Sequence, residues 1–398
     1  MKTNLALDLL NTPEGQTADQ ILRSCVHCGF CLSACPTYGI LGDELDSPRG
    51  RIYLIKQALE GQEVSQNSLK HLDRCLTCRS CETTCPSGVE YGHLLDIGRN
   101  HIEQKVQRPM MQRLFRYALR KTLTTPKLFN FLTWFTPWIK QTKGHSRLKR
   151  LAKTAQLSTQ ANPAQKQVLL VTGCVQPTLA PNINLATRKV LNQLGIGVIE
   201  TPQSQCCGAI DHHLSAESDA LKQIKTNIDA WAEQLDHGVE AIISNASGCG
   251  VMIKDYAHLL KNDPEYAEKA RRIVEHTQDI SEYLLKQDLF IFKRKTHENI
   301  VFQSPCTLQH GQKLPGRVES LLTELGFKLS PVQDSHLCCG SAGTYSIFQK
   351  KLSHQLRDNK LERLLKEAPT TIVTANIGCL MHLQKGTQTP VKHWIELL

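Results

Sequence analysis

Cys25-Val26-His27-Cys28-Gly29-Phe30-Cys31-Leu32-Ser33-Ala34-Cys35-Pro36 decides how this chain is built, because it occurs twice. The second copy, Cys75-Leu76-Thr77-Cys78-Arg79-Ser80-Cys81-Glu82-Thr83-Thr84-Cys85-Pro86, keeps every cysteine interval and the closing proline. Thiols at such short, repeated spacing are metal ligands. Zinc is the alternative, since C-x-x-C pairs fit a tetrahedral zinc site. Zinc, however, uses two separated pairs and has no use for a third cysteine at the same short interval. An iron–sulfur cluster uses them all.

The run resembles the C-x-x-C-x-x-C-x-x-x-C-P signature of bacterial two-cluster ferredoxins, in which three close cysteines hold one cubane and the fourth reaches the other. That resemblance implies two [4Fe–4S] clusters with crossed ligands. Cys25, Cys28, Cys31 and Cys85 would hold the first, and Cys75, Cys78, Cys81 and Cys35 the second. Between the runs, Ser47-Pro48-Arg49-Gly50 reads as a capped helix start, with Ser47 as N-cap and Pro48 in the first turn. An insertion of this length resembles the helical ferredoxin domain of respiratory complexes more than a minimal ferredoxin. A shorter helix is expected over Thr17 to Arg23, ahead of the first cysteine.

Length and composition set the frame. A chain of 398 residues suggests two or three domains. Its sixteen cysteines are spaced as metal ligands, and it opens Met1-Lys2-Thr3-Asn4 without an apolar signal core, so a reducing cytoplasm is expected. No apolar run approaches the roughly 18 to 20 residues of a membrane-spanning helix. Charge is unevenly placed: from Gln104 to Lys166 there are fourteen Lys and Arg and no Asp or Glu, a surplus larger than the whole chain's net +10. Within it lies the aromatic patch Leu128-Phe129-Asn130-Phe131-Leu132-Thr133-Trp134-Phe135-Thr136-Pro137-Trp138-Ile139. Such a segment suits an anionic membrane surface or an acidic partner. The alternative is a solvated linker whose aromatics pack on a neighbouring domain. No recognisable nucleic-acid-binding motif accompanies the charge, so nucleic acid is not expected as a partner.

From Gln167 onward a second repeat emerges. Val168-Leu169-Leu170-Val171 ends at Cys174, Gly197-Val198-Ile199 leads to Cys206-Cys207-Gly208, and Ala241-Ile242-Ile243-Ser244 leads to Cys249. The later copy runs Ile300-Val301-Phe302-Gln303 to Cys306, Phe327-Lys328-Leu329 to Cys338-Cys339-Gly340, and Thr371-Ile372-Val373-Thr374 to Cys379. Cys174 and Cys206 are separated by 31 residues, as are Cys306 and Cys338. With helical patterns over Asn184 to Leu194 and Leu314 to Leu325, each copy reads as strand, helix, strand, helix, strand, a parallel α/β unit. Ligands of such sheets bind beyond the carboxyl ends of the strands, where all eight cysteines fall. The pattern resembles the CCG domain of heterodisulfide reductase subunits, which carries non-cubane [4Fe–4S] clusters. Its final C-x-x-C is incomplete here: Ala246 and Asn376 stand three before the last cysteines, and Met252 and His382 three after. One or two further clusters on these cysteines are expected, with buried or redox-active thiols as the alternative. His212, His213, His310, His336 and His382 lie near them as candidate extra ligands or quinone donors, against an ordinary structural role.

No dinucleotide-binding G-x-G-x-x-G, P-loop, H-E-x-x-H or serine-nucleophile elbow is present. The chain therefore carries electrons but shows no flavin or nicotinamide site, and two-electron oxidation of an organic substrate belongs to another subunit. Together with Asp43 to Lys56, Ser247-Gly248-Cys249-Gly250, Cys306-Thr307-Leu308-Gln309-His310 and Ser335-His336-Leu337-Cys338-Cys339-Gly340, the cysteine runs resemble the iron–sulfur subunits of bacterial glycolate oxidase. The resemblance implies flavoprotein partner subunits that oxidise glycolate to glyoxylate. Electrons would pass through this chain to the quinone pool, with the complex peripheral at the cytoplasmic face of the inner membrane. Iron–sulfur subunits of glycerol-3-phosphate and other 2-hydroxy-acid dehydrogenases, and a thiol–disulfide reductase, are the rival readings. The expected fold is multidomain α+β, with a mainly helical two-cluster ferredoxin domain at 1–103 and a basic helical linker at 104–166. A duplicated parallel α/β CCG domain follows, at 167–295 and 296–398.

Overall fold

The structure, a computed structural model, describes residues 1–135, 166–294 and 298–398. The N-terminal part is helical. Helix α1 spans Pro13–Ser24 and α2 spans Pro48–Leu59; each has proline in its first turn and a hydroxyl cap. Thr12 accepts from the Gly15 amide at 3.0 Å and Ser47 from the Gly50 amide at 2.9 Å. The expected start of α2 is thus observed, while α1 begins four residues before its expected position because Pro13 is tolerated where no helical N–H bond is due. Helix α3 spans Gln66–Asp73 and α4 spans Tyr91–Lys105. Ile52, Ile55, Leu59, Leu69, Leu72, Leu94, Leu95 and Ile102 form their common core. At the α2–α4 crossing, a Cβ on Gly98 would stand 2.6 Å from Ile55 Cγ1, so the glycine sets how closely the helices approach.

The basic segment opens as helices α5, Met110–Thr124, and α6, Pro126–Phe135. Many of its charges are spent inside the chain. Arg108 grips Asp73 at 2.7 Å and Glu103 at 2.7 Å, Arg120 reaches Asp211 at 2.8 Å, and Lys121 meets Asp219 at 3.0 Å. Phe115 stacks edge-on against Phe348, with ring centroids 5.7 Å apart. In this half of the segment these contacts tie α5 to neighbouring parts of the chain, while Met110, Leu114 and Phe131 stay exposed. The other half, with Trp138, Lys140, Lys143, Arg147, Lys149, Arg150 and Lys153, lies outside the described residues, as does the Trp134 side chain.

Two parallel sheets follow. The first has strands β1 (Gln167–Val171), β2 (Gly197–Ile199), β3 (Ala241–Ser244) and β4 (Thr277–Asp279) in the order β2-β1-β3-β4. The second repeats that order with β5 (Asn299–Gln303), β6 (Lys328–Ser330), β7 (Thr371–Thr374) and β8 (Val391–His393), as β6-β5-β7-β8. Each copy has one strand more than its sequence pattern suggests. The extra strands, Thr-Gln-Asp and Val-Lys-His, are short edge strands with too few apolar residues to signal themselves. Side chains alternate across β1. Val168 and Leu170 join a core that runs on into the second sheet, whereas Leu169 and Val171 face the core of the first repeat alone.

Candidate metal centres

The two cysteine runs wind through the same turns. Residues two past the first cysteine, His27 and Thr77, have φ of 56° and 54°, and residues one past the second, Gly29 and Arg79, have 85° and 58°. Non-glycine residues enter this left-handed region at a cost of about 1 kcal/mol or more. Three of the four positions accept it, which marks the turn geometry as imposed by what the thiols surround. After each third cysteine the chain departs: Cys35 leads into a proline-started helix at Pro36–Leu41, and Cys85 ends the turn Ser80–Thr84.

The consequence is two cavities of mixed parentage. Cys25, Cys28 and Cys31 line one together with Cys85, beside Arg49, Ile52 and Pro86. Cys35 lines the other with Cys75, Cys78 and Cys81, beside Arg51, Arg79 and Tyr91. Cys81 also touches the wall of the first. No carboxylate lines either cavity. Among the described residues, no three cysteine sulfurs lie within 4.8 Å of one another. A single tetrahedral ion with metal–sulfur bonds of about 2.3 Å draws its sulfurs closer than that. The donor set fits a cluster with several irons, not one zinc.

Electrostatics agree. Burial pushes the Cys31 thiol up to about 11 and those of Cys78 and Cys81 well above the ordinary range, which opposes a bare thiolate there and favours one paired with a cation. Arg51, 1 % exposed, lies beside the second cavity with Nη1 4.0 Å from Cys35 Sγ and Nη2 3.3 Å from Asp46 Oδ1. Its Nε donates to the His71 carbonyl at 2.8 Å, and the Tyr91 hydroxyl donates to Cys75 Sγ at 3.6 Å.

In the C-terminal half the eight remaining cysteines assemble in two sets of four. Cys174 follows β1, Cys206 and Cys207 precede helix α7 (Ala209–His213), and Cys249 sits in α8 (Ser247–Lys254), which follows β3. Cys174 touches Cys206, and Cys207 touches both Cys206 and Cys249. In the second set Cys306 lies 3.7 Å from Cys338, and Cys339 lies 3.1 Å from Cys379. A single π turn over Thr307–Gly311 follows Cys306, a distortion common at functional sites. The glycine after each cysteine pair has a different use from the one its sequence suggests. Gly340, at φ +85°, would place a Cβ 2.6 Å from the Ser353 carbonyl oxygen and 2.8 Å from Leu356 Cβ. Its freedom admits a packing helix, not only a cluster. Asn376, standing where a further cysteine is missing, accepts from the Gly248 amide at 3.2 Å and ties one repeat to the other.

The histidines divide. His310 bonds Thr83 Oγ1 at 2.9 Å and the His336 carbonyl at 3.0 Å, and His382 bonds Ser353 Oγ at 3.1 Å. His212 and His213 each lie 3.3 Å from one oxygen of Asp96 on α4, forming an ionic joint between the ferredoxin part and the first repeat. Among the described residues no hydrogen bond joins any of these histidines to a cysteine sulfur.

Known proteins share both cysteine-rich regions of the chain. A family model for a 4Fe-4S dicluster domain matches residues 21–89, and one for a cysteine-rich domain matches 168–254 and 300–384. The chain is 49% identical, over its whole length and 98% of the other, to the glycolate oxidase iron-sulfur subunit of Escherichia coli (strain K12). It belongs to the glycolate oxidase iron–sulfur subunit family. A probable glycolate oxidase iron-sulfur subunit of Bacillus subtilis (strain 168) is 31% identical over 92% of this chain and 89% of its own. Lactate utilization protein A of Geobacillus thermodenitrificans is 27% identical over 58% of this chain and 98% of its own. A hypothetical protein from Helicobacter pylori shares the fold, with a TM-score of 0.51 at 10% identity, covering 97% of this chain and 71% of that one.

In this member of the glycolate oxidase iron–sulfur subunit family, sequence reasoning missed the charged residues around the thiols. Arg51 is recognisable only in retrospect, as a cation inside the buried face Ile52, Ile55, Leu59. Lys360 is 2 % exposed and in electrostatic reach of Cys338, Cys339 and Cys379. It did leave a signal, because it falls on one helical face with Leu356 and Leu364 at intervals of four.

Proposed function

We propose that this chain is the electron-carrying subunit of a glycolate-oxidising complex, placed between flavoprotein partner subunits and the quinone pool. The observation that carries the reading is the pair of cavities, each bordered by three cysteines of one run and the fourth of the other. On this reading Cys25, Cys28, Cys31 and Cys85 hold one [4Fe–4S] cluster, and Cys75, Cys78, Cys81 and Cys35 the other. The cysteine-rich repeats hold one or two more. When bound, clusters of this kind supply one-electron steps and no substrate chemistry. The chain's own residues position the thiols, exclude water from the second cavity, and offset its negative charge through Arg51 and Arg79. The division into 1–103, 104–166, 167–295 and 296–398 is part of the same reading, and the sheet repeat and the family matches support it.

Peripheral attachment at the inner membrane has its support in α5. No helix among the described residues is long and apolar enough to cross a membrane. Yet α5 exposes Met110, Met111, Leu114, Phe115 and Tyr117 on a segment without acids. Liposome sedimentation of the full chain should fall with added salt and with Met110 and Leu114 changed to Ser; binding that ignores both would remove this attachment.

Deleting the chain should abolish glycolate-dependent quinone reduction while the flavoprotein subunits still oxidise glycolate with an artificial dye. Full quinone reduction without this chain would end the assignment. A second reading, transfer from another 2-hydroxy-acid dehydrogenase, is favoured by the lactate utilization relatives. It predicts a defect on lactate instead.

A further inference from the structure

The two cysteine-rich repeats have the same spacing but not the same surroundings. In the second, Cys306 and Cys338 share a buried apolar cluster with Leu76, Tyr345 and Leu356, and Cys78 of the second ferredoxin-type cavity packs against it. The Tyr345 hydroxyl, 3.3 Å from the Arg74 carbonyl, and His310, bonded to Thr83, clasp the same junction. In the first repeat, Cys174, Cys206 and Cys207 lie inside that repeat's own core with Ile224, Trp231 and Tyr256, and no ferredoxin-part residue belongs to that core. Its contacts with the ferredoxin part are charged and polar instead: Arg79 on Asp255 at 2.5 Å, His93 stacked on His258 at 3.7 Å, and Asp96 on His212 and His213.

Charge differs as well. Helix α9 (Glu217–Asp236) of the first repeat and α10 (Lys350–Leu365, following β6) of the second pack against the cysteine-pair glycines through Ile224 and Leu356. One turn further, α9 offers Ile228 and α10 offers Lys360. Lys360 Nζ donates to the Ser335 carbonyl at 2.9 Å and the Asp334 carbonyl at 3.4 Å, and no carboxylate among the described residues forms an ion pair with it. A buried, unpaired ammonium is costly unless something anionic faces it. Burial pulls the Lys360 ammonium below the ordinary lysine range and Arg363 adds to that, while Cys339, Cys338 and Cys379, within electrostatic reach, act to hold its proton.

We propose that the four thiols of the second repeat bound this chain's third electron site, filled directly from the Cys35, Cys75, Cys78, Cys81 cavity. Lys360 is its fixed counter-charge, and the first repeat's four thiols lie off this route. The proposal rests on the relay reading above. The electron lost by the cluster that Cys35, Cys75, Cys78 and Cys81 would hold is the one gained, across Cys78, by the cluster that the second repeat's thiols would hold. Lys360 is a positioning residue, acting on charge and touching no substrate.

The test is a redox titration, followed by electron paramagnetic resonance, of the full chain purified without oxygen, with Lys360→Met, Lys360→Arg, Cys306→Ser and Cys174→Ser. Lys360→Met should lower the reduced-to-oxidised ratio of one centre about tenfold at fixed potential, which is 59 mV for one electron, and leave the others unchanged; Lys360→Arg should restore it. Cys306→Ser should remove that same centre, and Cys174→Ser should spare it. The proposal is overturned if Lys360→Met moves no centre, or if Cys174→Ser removes the centre that Cys306→Ser removes. Should Lys360→Met not fold, the two serine variants decide alone. A native protein with two centres only would overturn the proposal and leave the relay reading standing, whereas one with no centre at all would end both.

Discussion

At the scale of single residues, the fourth cysteine of each run is the informative one. Cys35 borders the cavity of the second run, so Cys35→Ser should erase the same spectroscopic signal as Cys75→Ser and spare the one lost in Cys25→Ser. Matching losses in Cys35→Ser and Cys25→Ser would mean that each run closes its own cluster. The crossing of the fourth cysteines was implied only by the ferredoxin resemblance, whereas the cysteine spacing could be read in advance, because it is local and survives any fold. Arg51 and Asp46 could not. Asp46 is wholly buried and holds Arg51 at 3.3 Å and Arg74 at 2.7 Å, a network gathered from residues up to 28 apart in sequence. Removing one partner of a buried ion pair leaves the other uncompensated. Asp46→Asn should cost roughly 3 kcal/mol in denaturant unfolding of the cluster-loaded protein, an amount drawn from such buried pairs; a loss below about 1 kcal/mol would place the network with weak surface pairs.

At the scale of elements, Ser47-Pro48-Arg49-Gly50 shows how far a local signal reaches. Cap and proline announce the start of α2, and both are found in their expected roles. The glycine has a long-range reason the sequence conceals: a Cβ there would fall 1.9 Å from the Glu44 carbonyl oxygen, against the turn that carries the chain back from Cys35. Ser47→Ala should cost about 1 kcal/mol, as lost N-caps do. Gly50→Ala should cost more, since backbone has to move. Equal effects in thermal unfolding would show that the turn yields freely. The same contrast explains the missed edge strands. Central strands β1, β3, β5 and β7 are apolar because both faces are covered. By contrast β4 and β8 are held by ladder bonds to their neighbours, such as Ile242 beside Thr277 and Ile372 beside Val391, which leave little mark on composition.

At the scale of the whole molecule, the duplicated architecture was legible because cysteines and strands recur at one interval in both copies. The joints between its parts were not. Asp96 with His212, Arg79 with Asp255 and Arg120 with Asp211 pair residues far apart in the chain, and no periodicity announces them. Of the sixteen cysteines only Cys28 is exposed, on a surface where Val26 and Phe30 also face solvent. That exposure admits dissolved oxygen to Cys28. Brief aeration of the intact chain should therefore bleach the cluster bounded by Cys28 well before the one walled in by Arg51 and Tyr91. Simultaneous bleaching would show that the inner chamber breathes as readily as the outer, and air would set the working lifetime of this subunit at its outermost thiol.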